Sequence, residues 1–263
     1  MEELLAGVSA AAAADIRSAG GKGGAFLGAP TEDEHLMPDT LMKVALCRRL
    51  RVAHPGRVAR AGASHCQHKH RTGNHAGNCC GKDLDRQGHH AEVCEAGGGV
   101  VRRHDRLRDW LAKWIADVTG RPARSEQVVP RWARQRPDGS IEEARLDVSF
   151  IDATGRRTYI DVSVVAASTV DPERERRRAE YDGEAAKAME DTKRLRYPGA
   201  DLVPFVLETL GRPGESALSL LRALAPTDPE ERSRVLGSAW QSIATIMQVA
   251  NAEDQLTAEG VSI

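Results

Sequence analysis

Residues 144–165 read Ala144-Arg145-Leu146-Asp147-Val148-Ser149-Phe150-Ile151, then Asp152-Ala153-Thr154-Gly155-Arg156-Arg157-Thr158, then Tyr159-Ile160-Asp161-Val162-Ser163-Val164-Val165. Two runs rich in β-branched and aromatic residues flank Asp152-Ala153-Thr154-Gly155, whose residue types favour a tight turn, so an antiparallel hairpin is expected. Side chains alternate across a strand. Leu146, Val148 and Phe150 then share one face and Asp147 and Ser149 the other, while Ile160, Val162 and Val164 oppose Tyr159, Asp161 and Ser163. Period two alone describes a half-buried sheet with one solvated face. The pairing also sets Asp147 and Asp161 on the same side, where two carboxylates repel unless a cation lies between them. Mg²⁺ or Mn²⁺ suits such a site, because hard cations are held by one or two carboxylates with water and phosphate.

Outward from the hairpin, the pattern gives a mixed α/β domain, a small mixed sheet covered by helices. Upstream, Leu107, Trp110, Leu111, Trp114, Ile115 and Val118 recur at helical spacing, predicting a helix over 104–118 that closes at Gly120. A third strand is expected over 126–130. Downstream follow a charged helix over 172–196, a buried strand over 202–207, and helices over 215–224 and 228–249. A further helix is expected over 38–50, after an Ala/Gly-rich start. The chain thus divides into residues 1–60 (linker and helix), 61–103 (Cys/His segment), 104–225 (α/β domain) and 226–263 (C-terminal helix and tail). Glu126 supplies a third carboxylate near the hairpin, and Lys187 and Lys193 lie on the helix that follows. Three acids, a lysine and a divalent ion suit phosphodiester hydrolysis, in which charge builds on the phosphorus oxygens.

Between His65 and Cys94 lie four of the five cysteines and six of the nine histidines. Neither helical nor strand period survives from His54 to Gly99, so order there is expected from a metal rather than from apolar burial. Met1 to Ala14 is too weakly hydrophobic for a secretory leader, which predicts an intracellular chain with reduced cysteines. Zn²⁺ is the expected ion, with Cys80, His89 and Cys94 the ligands checked by spacing, eight and then four residues lying between them. Cys47 sits in an apolar helical run and is expected to be a small core residue.

The net charge of −1 is unevenly spread. Arg48, Arg49, Arg51, Arg57, Arg60, Lys69 and Arg71 follow one another without an acid, and Arg102, Arg103, Arg106 and Arg108 come after the Cys/His segment. Acids collect instead at Glu230, Glu231, Glu253, Asp254 and Glu259. A basic sector of this kind is expected where one face meets phosphates. No run is long enough to cross a membrane, so none is expected as a partner.

Cys80-x8-His89-x4-Cys94, Arg103-His104-Asp105, Arg145-Leu146-Asp147 and Ile160-Asp161-Val162 together resemble the C-terminal restriction-endonuclease-like domain of site-specific non-LTR retrotransposon polyproteins. There a C-x2-C-x7-8-H-x4-C zinc motif precedes a PD-(D/E)XK nuclease. The resemblance covers roughly residues 66–211, and Gly24 to Pro30 with Cys47-Arg48-Arg49-Leu50 resemble the segment joining it to a reverse transcriptase. It implies a restriction-endonuclease-like fold, with Asp147 and Asp161 as the metal-binding acids and Glu126 as an auxiliary one. Leu146 replaces the motif's proline and Ser163 stands where a lysine is common, so Lys193 or Lys187 would reach in from the helix. Gly77 occupies the place of the first zinc cysteine, leaving Cys79, His75 or Cys66 to complete that site.

The implied activity is metal-dependent endonucleolytic cleavage of DNA by a domain of retroelement origin. Arg102, Arg103, His104, Arg106, Arg48 and Arg49 would meet the duplex. Element RNA or a reverse-transcriptase domain would be further partners, and the DNA substrate implies nuclear residence. The alternative is a catalytically decayed, zinc-containing nucleic-acid-binding module, which the missing lysine and displaced cysteine favour.

Overall fold

The expected hairpin is the centre of the sheet. The structure, a computed structural model, describes residue 5, residues 7–54 and residues 65–262. Arg57, Arg60 and the expected boundary between residues 60 and 61 lie outside the described residues. Helix α1 spans Ala10–Ser18, α2 Asp39–Arg49, the single turn α3 His89–Val93, and α4 Gly99–Thr119. Then come β1 (Arg124–Val128), a two-stranded ribbon of β2 (Arg134–Gln135) and β3 (Ile141–Glu142), β4 (Arg145–Ile151) and β5 (Arg157–Val165). Helices α5 (Pro172–Glu180) and α6 (Glu184–Arg196) lead to β6 (Leu202–Glu208), followed by α7 (Glu215–Leu224) and α8 (Pro229–Ala258).

The main sheet has the order β1-β4-β5-β6, antiparallel at the first two junctions and parallel at the third. A mixed α/β architecture with a small mixed sheet flanked by helices is therefore present. Asp152 makes the β4–β5 turn: its carboxylate accepts from the Thr154 and Arg156 amides, and Gly155 takes φ +83°. Val148, Phe150, Ile160, Val162, Phe205 and Leu207 form one sheet face, packed on Leu107, Leu111 and Ile115 of α4 and on Trp240, Ile243 and Met247 of α8.

Four expectations are corrected. The helix over 172–196 is two helices, because Tyr181 to Gly183 leave the helical path and Gly183 starts α6 from φ +73°. The face carrying Ser149 and Asp161 is not solvated: both are at most 5% exposed, since α6 covers that side of β5 and β6. Strand alternation also fails at Leu146, which packs with Val129, Trp132, Ala144 and Leu202 rather than with Val148. The cause lies next door, where the Val162 amide donates to the Asp147 side chain (2.7 Å) and the described β4–β5 pairing stops at Val148–Ile160. Finally, α8 runs nine residues past the expected end at 249, because its last turns are covered by the Cys/His segment and α2.

Candidate metal centre and candidate active site

Residues 65–83 fold back on themselves through short main-chain bonds, Cys66 N to Lys82 O (2.8 Å), Cys80 N to His68 O (2.7 Å) and His70 N to Asn78 O (2.9 Å). This brings Cys66 and Cys80 side by side. The Asp85 carboxylate accepts the Gln87, His89 and His90 amides and so starts α3. On that turn His90 and Cys94 are four residues apart, about 40° out of line around a helix, whereas His89 and Cys94 are about 140° apart. Cys66, Cys80, His90 and Cys94 thereby bring four ligand atoms within 4.8 Å of one another. Cys66 Sγ and Cys94 Sγ are 3.8 Å apart, and Cys80 Sγ and His90 Nε2 3.4 Å. Tetrahedral zinc bonds of about 2.3 Å to sulfur and 2.0–2.1 Å to nitrogen give edges of about 3.8 and 3.5 Å. The cluster can hold a zinc ion. Burial, with the neighbouring Cys94 and Cys80 thiols, pushes the Cys66 thiol up to about 12.

The expected ligand set is thus corrected at three residues. His89 turns away, its Nε2 2.6 Å from Asp15 Oδ2 and its Nδ1 3.1 Å from Asp85 Oδ1. Burial opposes its charge, yet these two carboxylates raise its pKa to about 9. Cys79 is exposed and reaches Gln67, and His75 lies beside His70 with the rings tilted by 50°; neither joins the cluster. Cys66 is the ligand that completes it. His90 follows from helical spacing only once the short turn His89–Val93 is known.

The two aspartates of the hairpin occupy the point where β4 and β5 part. Asp147 Oδ2 takes the Val162 amide and Oδ1 lies 3.2 Å from His104 Nε2 on α4. That bond to Asp147 raises the His104 pKa against the effect of burial. Asp161 is buried, and Lys193 Nζ reaches its Oδ2 at 2.6 Å from α6, though not in hydrogen-bonding geometry. Burial raises the Asp161 pKa, Lys193 opposes this, and the charge on Asp147 adds to it. Two acids, a lysine and an imidazole from four elements therefore converge. Lys187 does not take part: it is exposed and paired with Asp191 (2.8 Å). Glu126 lies opposite Asp147 in the β1–β4 register, but its backbone is left-handed (φ +55°) and its carboxylate goes to Arg108 (2.9 Å) and Arg145 (3.3 Å). Groups of three metal-ligating side chains among the described residues include neither Asp147 nor Asp161.

The expected DNA-contacting arginines are largely structural. Arg48 is buried between Asp15 (3.0 Å) and Glu92 (2.7 Å), and Arg103 is buried against Asn251 and the Glu92 carbonyl. Arg102 pairs with Asp254 and Arg106 with Glu253, while Arg49 bonds the Gly23 carbonyl and lies over Phe26. Two of the C-terminal acids, Glu253 and Asp254, thus fold back onto Arg106 and Arg102. Pro137-Asp138 lies in the turn between β2 and β3, with Gly139 at φ +84°.

No family model matches this chain, and no curated protein does. Among the described residues no helix is long and apolar enough to cross a membrane.

Proposed function

We propose that the chain is a divalent-metal-dependent DNA endonuclease domain of retroelement origin, restriction-endonuclease-like in fold, with a zinc-held accessory segment. The observation that carries this reading is the convergence of Asp147, Asp161, Lys193 and His104 where the two central strands part. The donor set suits a hard cation, two carboxylates on adjacent strands, which would share Asp161 Oδ2 with the Lys193 ammonium 2.6 Å away. Asp147 and Asp161 would hold Mg²⁺ or Mn²⁺, which supplies an activated water and neutralises charge on the phosphoryl oxygens. Lys193 balances the buried Asp161 charge and is placed to stabilise an anionic phosphate. His104 Nε2 orients Asp147 and can carry a proton at that atom. DNA is the substrate in this reading, with nuclear residence and a reverse-transcriptase domain or element RNA as company.

The test is incubation of zinc-loaded protein with supercoiled plasmid and Mg²⁺ or Mn²⁺. Nicking is expected, falling about a hundredfold or more in Asp147→Asn and Asp161→Asn, and unchanged in Lys187→Ala. A specific observation favours a second reading: both Asp147 oxygens already have partners and Lys193 already pairs with Asp161. No nicking with either metal, alongside salt-sensitive DNA binding, overturns the endonuclease in favour of a zinc-containing DNA-binding module.

A further inference from the structure

A cavity of about 210 Å³ opens beside the edge strand, lined by Arg121, Arg124, Arg157, Ser149, Pro122 and Ile151. No acidic side chain lines it. The register explains the grouping: Arg124 lies directly across from Ser149, and Arg157 directly across from Ile151, two residues further along β4. Residues opposed in this way project to one face. Arg121 is tied by one guanidinium nitrogen to the Asp152 carbonyl, and the Asp152 carboxylate is turned into its own turn. Among the described residues neither Arg124 nor Arg157 has a carboxylate partner, in a chain where Arg48, Arg102, Arg106 and Arg108 all do.

The independent observation is Ser149. It is 1% exposed, its hydroxyl has no hydrogen-bond partner among the described residues, and it lines this cavity. A buried hydroxyl without a partner costs free energy that an arriving acceptor recovers. Two unpaired guanidiniums, a third held in place, and a free hydroxyl donor together match a phosphate, whose oxygens accept from several donors at once.

We propose that Arg121, Arg124, Arg157 and Ser149 form a phosphate-binding pocket that takes a backbone phosphate of a nucleic-acid strand. Arg157 and Asp161 lie four residues apart on β5, about 13 Å by strand rise, or about four base steps of B-DNA. A strand held at the pocket would therefore extend past the Asp147–Asp161 site. The choice of a nucleic-acid strand rests on the endonuclease reading; the phosphate pocket does not.

Two titrations on zinc-loaded protein without added Mg²⁺ test it. One uses a labelled single-stranded oligonucleotide over a range of salt, the other sodium phosphate. In the double variant Arg124→Ala/Arg157→Ala, oligonucleotide affinity is expected to fall about tenfold and the salt slope by about 1.4, two contacts at about 0.7 each. Phosphate binding is expected to be lost in the same variant and weakened in Ser149→Ala, while the exposed Arg156→Ala leaves both unchanged. Both titrations are read without Mg²⁺ and without cleavage, so failure to nick and failure of the pocket are read separately. Wild-type affinities in the double variant overturn the pocket. Loss of phosphate binding with oligonucleotide binding intact overturns the nucleic-acid assignment.

Discussion

The sheet core and the Cys/His segment are ordered by different forces. Around the sheet, long apolar side chains from α4, β4, β5, β6, α7 and α8 meet in one cluster, and each contributes by leaving water. Around Cys66 the corresponding cluster is Cys66, Ala91, Cys94, Ala96 and Ala258, with no large aliphatic side chain fully inside. What replaces bulk there is polar: the four-ligand cluster, the buried Asp15–Arg48–Glu92 set, and bonds from His68 and Gln67 to the end of α8. A segment held this way is specific in geometry but depends on polar and charged groups that could hold an ion, whereas the sheet depends on apolar burial.

The largest expected effect comes from removing the ion. Structural zinc in small domains contributes about 10–16 kcal/mol of apparent binding free energy at pH 7. Chelation, or Cys66→Ser, is therefore expected to expose amides 65–94 to hydrogen exchange while those of β4 and β5 stay protected. Equal loss of protection in both regions breaks the contrast. Zinc content by metal analysis sharpens it: His90→Ala is expected to lose the ion and Cys79→Ala to keep one per chain.

Next in size is the buried charge set. Arg48→Met leaves the buried Glu92 without its cation and Asp15 with only Arg51 and His89, a loss of about 3–5 kcal/mol, seen in chemical denaturation. On the sheet side, Leu111→Ala is expected to cost about 2–5 kcal/mol with zinc content unchanged. If it releases zinc, the two regions share one cooperative unit.

The smallest effect is a pH dependence at the junction. Burial chiefly raises the Asp254 pKa to about 6, against the pull of Arg103 and Arg102. The folded state then holds a proton that the unfolded chain gives up near 4, so this residue's contribution worsens as pH rises from about 4 to 6. Asp254→Asn is expected to be more stable than wild type by about 1–3 kcal/mol above pH 6, and the advantage to vanish by pH 4. An advantage independent of pH sinks the assignment.

The parts legible in the sequence are those written as a period. The hairpin, its turn and the helix before it follow from spacing, as do the strand over 202–208 and the helix over 215–224. The Cys/His tract announced a metal cluster by composition, and Cys80 and Cys94 are in it. What the period does not carry is pairing between distant residues. Nothing near Arg48 in the chain signals that Asp15 and Glu92 would bury it, or that Glu253 and Asp254 would cover Arg106 and Arg102. Leu146 changed sides because a side-chain carboxylate took a ladder amide, a competition invisible to any alternation rule. His104 was read among DNA contacts, yet the structure sets it on Asp147.

Helix α8 closes both regions. Its middle fills the sheet core, and its last turn supplies Ala258 beside Cys66 and the carbonyl that receives the Gln67 amide. During synthesis the last ligand, Cys94, emerges roughly 160 residues before Ala258 does. At ribosomal rates that is an interval of about 10 to 30 seconds. For that time the fold-back of residues 65–83 lacks the helix end that covers it, and the cluster gains its cover only once α8 is made.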